Sequence, residues 1–542
     1  MAQNAVFGIN SNLDTQDIIN KMVSLEARSM DLVEAKKQIE QQKLASFKEL
    51  KNRLQTFKSV VTTLNTESRF IVNKSVFSNN SSSDNNKVVD ITTTSSATSG
   101  TYSLVVDNLA TETKIISNGF ANTTSELENG RVKVTSGSAS ATVTINSTNN
   151  SLDGLRLAIN NLGLDVKASF LNDGDDTVPV RLLISGNLTG ATGAVTMSYS
   201  KDSIYPVDEI SFTTTQEAKN ASFSIDGVSI SKSSNTVSDV ISGAALKLQS
   251  AGSGTISLST DTDAITTKVS DFVDEYNEIS LFLSEQLALD SETEETGVLF
   301  GNFAVQNLQQ ILRSSISNKV TGITGDYTYL SQIGITTKSD GTLILDTDEL
   351  SEALIDDIQN VSQLFSSKGT VTHSSVAYVG FTSDTKPGAY EIQVSSSGTS
   401  TFVQLSNSGA STFVTASGSG NFYAGSSGDS TGLNFRIGSL TAGNYGHVIL
   451  SIGVAEILNR QLQNMVDTSL NGPLVTELDT ITETIDDYNI TLLDQAERLL
   501  EYEESLKAKF SNLEIVLGRL NAQRDTFKSS LAGIQDIFSR RK

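Results

Sequence analysis

The chemistry available to this chain is narrow. Its only imidazoles are His373 and His447, so a two-histidine metal site or a histidine general base is barely available. Both read as plain surface or turn residues. There is no cysteine, which removes disulfides, thiolate catalysis and cysteine-based zinc sites together. Asn172-Asp-Gly-Asp-Asp176 has the start of a calcium-loop pattern but lacks the glutamate at position twelve, and a tight solvated turn is expected. Asp261 and Asp263 fall at the end of an expected strand, with no evident partner. Two carboxylates make a glycosidase only around a sugar cleft. No phosphate-cradling glycine loop, Gly-x-Ser-x-Gly elbow or acidic metal triad occurs. The expectation is therefore no catalytic residue, no metal and no cofactor, and a structural or binding protein in place of an enzyme.

Composition supports that class. Lys and Arg number 39 against 62 Asp and Glu, a net charge of −23. A surface of that sign repels phosphates and argues against nucleic acid as a partner. Apolar residues make up 37% of the 542, enough for packed cores; at roughly 150 residues per domain, three to four domains are expected. No run approaches the roughly 18 apolar residues of a membrane span. The first cation is Lys21, so no basic region precedes an apolar stretch, and a cleaved secretory signal is not expected.

Long helices must occupy both ends. After Gly472-Pro473, where proline suits a first helical turn, apolar residues recur in steps of four and three. They run Leu474, Leu478, Ile481, Ile485, Tyr488, Leu492, Leu499, Tyr502, Leu506, Phe510, Leu513, Leu517, Leu520, Phe527, Leu531, Ile534 and Phe538, with Gln495 and Arg524 breaking the stripe. A seven-residue repeat kept this long predicts a coiled coil, with a stutter between Tyr502 and Phe510. At the other end, Asp14 can cap a helix, and Leu13 and Ile18 hold hydrophobic-staple positions. Ile18, Met22, Leu25, Leu32 and Ile39 follow, then Phe47, Leu50, Leu54, Phe57, Val61 and Leu64. The two ends are expected to pair with each other or with other subunits. In particular, Leu513, Leu517 and Leu520 are expected to pack on Leu50, Leu54 and Phe57.

Between these ends, from about Val76, Ser, Thr, Asn and Gly dominate and short alternating strands appear, such as Tyr102–Val106 and Ala221–Ile225, with Asp226-Gly227 as a hairpin turn. Helices are expected over about Thr266–Leu289, Phe303–Ser317 and Glu349–Phe365, and a second β-rich block over about Thr370–Ile452. That block looks like a partial repeat: Gly100–Val106 matches Gly388–Val394, and Ile184–Gly190 resembles Ile437–Gly443. Ser395–Gly428 carries no charged residue at all, so its strands lack protection against edge pairing. The expected class is α+β and multidomain: long terminal coiled-coil helices form a leg, and antiparallel β-rich head domains are inserted between them. The expected divisions are 1–75 (leg helix), 76–264 (two head domains, split around 130–205), 265–368 (helical leg segment with a short β element), 369–454 (inserted β domain, projecting outward from the leg) and 455–542 (leg helix).

This ordered pattern resembles the flagellar hook-associated protein 2 family, the filament cap. The carriers are Gly8–Ile19, Tyr102-Ser-Leu-Val-Val-Asp-Asn-Leu-Ala110, Phe223-Ser-Ile-Asp-Gly-Val-Ser-Ile-Ser, Ser234-Asn-Thr-Val-Ser-Asp-Val-Ile-Ser-Gly243 and Phe272-Val-Asp-Glu-Tyr-Asn277, then Gly297–Gly301, Ile333–Thr336, Gly341–Asp346 and the coil from Gly472. The block near 370–455 departs from compact family members. The resemblance implies export to the extracellular tip of the bacterial flagellum and assembly into a homo-oligomer, typically a pentamer, that helps flagellin fold and prevents its loss. Flagellin, hook-associated junction proteins and a flagellar export chaperone are the implied partners, with no nucleic acid and no membrane insertion. Ile18, Met22, Leu25, Leu50, Leu54, Phe57, Leu506, Phe510, Leu513, Leu517 and Leu520 are the expected coil and interaction residues. Another axial protein (hook–filament junction or flagellin-like) and a β-rich surface adhesin, active in cell adhesion, are the alternatives.

Overall fold

A computed structural model describes residues 14–80, 87–202, 209–290, 292–323, 325–397, 400–407, 413–469 and 471–539. Expectations at Leu13 and in the opening motif before Asp14 lie outside these residues. So do the side chains of Ile534, Phe538 and parts of the charge-poor run. Chain contacts define two units: 1–65 with 268–353 and 359–542, and 66–267 with 354–358. The eight helices of the described residues are α1 (Thr15–Thr62), α2 (Glu67–Phe70), α3 (Leu152–Asn160), α4 (Thr262–Gln286), α5 (Phe303–Ser317), α6 (Thr347–Phe365), α7 (Val454–Val466) and α8 (Pro473–Ser539).

The first unit is built on α1 and α8. Neither proline nor glycine interrupts α1, and the Asp14 carboxylate accepts the Asp17 N–H at 2.9 Å, capping the first turn. Deep in the unit, Leu50, Leu54 and Phe57 of α1 are fully buried. Phe57 meets Phe272 at 5.6 Å and Tyr276 at 6.3 Å, and Phe272 meets Phe365 edge-on at 5.9 Å. Aromatic pairs at such spacings add about 0.5–1.5 kcal/mol each beyond their buried area. The last leg segment is not one helix from 455: α7 ends at Val466 and α8 starts after a break. α6 likewise holds one non-helical residue, Asp357.

The second unit holds two β modules with separate cores. The inner module has a five-stranded antiparallel sheet in the order Asn73–Asn79, Gly252–Thr260, Gly100–Asn108, Ala221–Ile225, Val228–Lys232. The last two strands form a hairpin through Asp226 and Gly227, whose φ values of +49° and +82° are those of a type I′ turn. The outer module spans Glu112–Gln216, wider than the 130–205 expected, and packs α3 onto a four-stranded and a three-stranded sheet. Its entry and exit are tied together: the N–H of Thr111 donates to the Lys219 carbonyl at 2.9 Å, and that of Lys219 to Thr111 at 3.2 Å.

The third β module, within the first unit, repeats the inner one. Its main sheet runs Ser367–Val371, Gly443–Ile452, Gly388–Ser397, Ser400–Asn407, Val414–Thr415. Gly100 opposes Leu258 and Tyr102 opposes Ile256; Gly388 opposes Leu450 and Tyr390 opposes Val448. In each case one residue separates the second strand from the following helix, Asp261 before α4 and Gly453 before α7. The second sequence match fails this test. Ile184–Gly190 belongs to a strand of the outer module, whereas Ile437–Gly443 joins two strands of the third, so that likeness is compositional.

Candidate assembly surfaces

The residues first considered for chemistry have structural tasks. The Asp175 carboxylate accepts the N–H of Thr177 at 2.8 Å and of Val178 at 3.0 Å, bonds that hold its pKa down to about 2. Those bonds close a solvated turn. Asp261 is not partnerless: its carboxylate accepts the Ala264 N–H at the start of α4, and the Lys74 ammonium lies 3.5 Å from it and 3.8 Å from Asp263. An anion at a helix N-terminus offsets the dipole, which explains the carboxylate without catalysis. His373 accepts the Ser375 N–H through Nδ1 and lies 5.3 Å from the Tyr445 ring. Among the described residues no cluster of His, Asp or Glu is placed to hold a metal, and no helix is long and apolar enough to cross a membrane.

Asparagines hold distant segments together. Asn235 accepts the Ala110 N–H at 2.7 Å and donates to the Ala110 carbonyl at 2.9 Å. Asn277 does the same to Leu343, at 2.6 and 3.0 Å, and Asn360 to Tyr327, at 2.7 and 3.2 Å. A further network ties the third β module to α7. The Glu456 carboxylate accepts from Asn65 and Arg460, both at 2.9 Å. Arg460 also donates to the carbonyls of Ser383 and Thr385, and its guanidinium lies 4.7 Å from the Phe381 ring centre. The inserted module is therefore bonded to α7 through Arg460.

The two leg helices pack on each other within the chain. α1 and α8 run antiparallel: Met30 and Gln495 line one groove of about 330 Å³, and Lys43 and Ile481 line another of about 350 Å³. Their net charges are opposite in sign. Residues 21–48, which that register sets level with Glu477–Glu504, hold six cations (Lys21, Arg28, Lys36, Lys37, Lys43 and Lys48) and four carboxylates (Glu26, Asp31, Glu34 and Glu40), against ten carboxylates and one cation (Arg498). Leu474, Ile481, Ile485 and Leu506 of the expected α8 stripe are buried. On α1 the seam uses Ile19, Val23, Ala27 and Met30, one position away from the stripe anticipated. Ile18 is half-buried, whereas Met22, Leu25, Leu32 and Ile39 face solvent, Leu25 and Leu32 at 62% and 68% exposure.

The pairing of Leu513, Leu517 and Leu520 with Leu50, Leu54 and Phe57 is corrected. With Met30 level with Gln495, the antiparallel direction carries Leu54 one way and Leu517 the other, roughly 70 Å apart at about 1.5 Å per residue. Leu513 and Leu520 are exposed, and Phe510 and Leu517 half-buried.

Two family models match the chain: the flagellar hook-associated protein 2 N-terminus over residues 11–113 and its C-terminus over 218–522. The chain belongs to the flagellar hook-associated protein 2 family. The stretch left between the two matches coincides with the outer β module. The B-type flagellar hook-associated protein 2 of Pseudomonas aeruginosa is 28% identical over 66% of this chain and 79% of its own. The flagellar hook-associated protein 2 of Escherichia coli K12 is 29% identical over 69% and 82%. The D1-D2-D3 domains of the flagellar cap protein FliD from Escherichia coli superpose with a TM-score of 0.50 at 30% identity, covering 59% of this chain and 89% of theirs. The family is one of structural cap proteins, not of enzymes.

Proposed function

We propose that this chain caps the flagellar filament. It assembles as a homo-oligomer, a pentamer on the family's pattern, at the extracellular tip, where it promotes flagellin folding and insertion and prevents flagellin loss. The carrying observation is that the family matches cover α1, the inner β module and most of α8, and pass over the outer module. Export without a cleaved signal, an export chaperone and contact with the hook-associated junction proteins belong to the same reading. The domain divisions supporting it are the leg, the inner and outer β modules and the third module, which serves plate association or adhesion.

Deleting the gene tests this. Hooks should form while flagellin leaks into the medium and filaments are short or absent. Normal filament length and motility in the deletion strain would overturn the cap reading.

A further inference from the structure

The two leg helices turn apolar stripes away from each other. On α1 the outward stripe is Met22, Leu25, Leu32 and Ile39; on α8 it is Ile490, Leu493 and Leu500. Both keep seven-residue spacing, the pattern of a coiled-coil seam awaiting a helix. Leu493 and Leu500 are 72% and 64% exposed. On each helix the stripe lies across from the residues that form the internal seam, so the pair is a ribbon with one apolar line inside and one along each edge.

Two observations show what fits those edges. The first is level. Counting from Met30 and Gln495, which share a groove, Leu32 stands level with Leu493 and Leu25 with Leu500. A second copy set beside the first, with its leg parallel and no axial shift, brings its α1 stripe onto the α8 stripe of its neighbour. That contact repeats the antiparallel register already used inside the molecule. The second is charge. The one charged residue at a stripe position between Met22 and Ile39 is Lys36, with Lys21 and Arg28 beside the stripe. The α8 stripe positions hold Asp486, Glu497 and Glu504. All six are exposed.

We propose that the leg of one copy binds the leg of the next through these edges, α1 stripe on α8 stripe. The contact is heterologous, and because it needs no shift along the leg it can close into a ring. This rests on the oligomeric cap reading and adds the surface that joins the legs.

The absence of cysteine makes the test clean. Full-length Leu32→Cys and Leu493→Cys proteins are purified separately, mixed and treated with a mild thiol oxidant. Disulfide-linked pairs containing one chain of each kind are expected, several-fold above the pairs formed by either variant alone. Lys36→Glu on the first chain should reduce the yield several-fold, and Asp486→Lys on the second should restore it. Far-UV circular dichroism checks that these exposed substitutions leave the fold intact. Equal or greater yields from a single variant, or none from the mixture while the wild-type protein is oligomeric, would overturn the proposal. So would cross-linking in growing filaments that joins Leu32→Cys to flagellin and not to a second copy. The readouts on purified protein need no filament growth, so their failure is distinct from failure of the cap reading.

Discussion

An asparagine side chain presents the donor and acceptor of a peptide group, so it can bond a single residue's backbone as a neighbouring strand would. Asn235, Asn277 and Asn360 all do so. Asn277→Ala leaves both Leu343 groups without that partner and should cost roughly 1–3 kcal/mol in chemical denaturation. An unchanged midpoint and slope would show the bonds to be replaceable by water. The tyrosines carry a second prediction. Burial pushes Tyr276, Tyr378 and Tyr390 up to about 12. Their folded pKa lies above the unfolded value of about 10, so the contribution is complete below pH about 10 and lost as pH rises toward about 12. Denaturation midpoints should fall across that window while phenolate absorbance stays suppressed until unfolding. Asn235 and Asn277 sit inside the motifs that drew attention in the sequence, but their partners are 125 and 66 residues away. Local pattern carries no information at that separation, so the residues were legible and their task was not.

Periodicity places the long helices well. Phe303–Ser317 is the span read from sequence, and α8 starts at Pro473 as its chemistry requires. It does not settle which side of a helix meets which neighbour. α1 has two candidate stripes one residue apart, and the more hydrophobic one, with Leu25 and Leu32, is left outside. The internal seam is settled instead by α8, whose residues lie more than 400 positions away. Leu54→Asp should therefore cost at least about 3 kcal/mol, since it buries an unpaired charge in the aromatic hub. Leu517→Asp, at a half-buried site, should shift the thermal midpoint of the isolated protein far less. Equal shifts would contradict the placement of these residues. Gln495 offers the opposite test. Its side-chain oxygen is buried beside the Ser29 groove with no hydrogen-bond partner. Gln495→Leu should raise stability by about 1 kcal/mol or more by removing that orphan acceptor; a lower midpoint would mean that a bound water satisfies it.

At the scale of the whole chain, insertions follow one rule: each leaves and returns through paired strands or bonded residues. Thr111 and Lys219 close the outer module, and Ser367 opposite Ile452 closes the third. Replacing 112–218 with a short Gly/Ser linker should leave the inner sheet and both leg helices folded, because the outer module has its own core. Loss of helical circular-dichroism signal in that variant would show the modules to be one cooperative body. The β-rich class and the kinship of the third module with the inner one were legible, because strand sequences keep their alternation and the glycine–tyrosine register. The true edges of the outer module were not, since Ser- and Thr-rich strands continue across its boundary without a change in composition.

The antiparallel leg also sets an order in time. α1 lies in the first 62 residues, and the α8 residues beside it arrive after some 400 more have been made. On a ribosome, or in any passage that delivers the chain from its N-terminus, the hairpins and β modules complete their pairings first. α1 meanwhile keeps both its seam and its outer stripe uncovered. Closure of the leg is a loop-closing event across most of the polypeptide, of the kind that slows folding. Refolding followed by one probe in the leg and another in the outer module should resolve two phases, with the leg last. A chain truncated before Pro473 should hold its β modules and leave α1 exposed to protease.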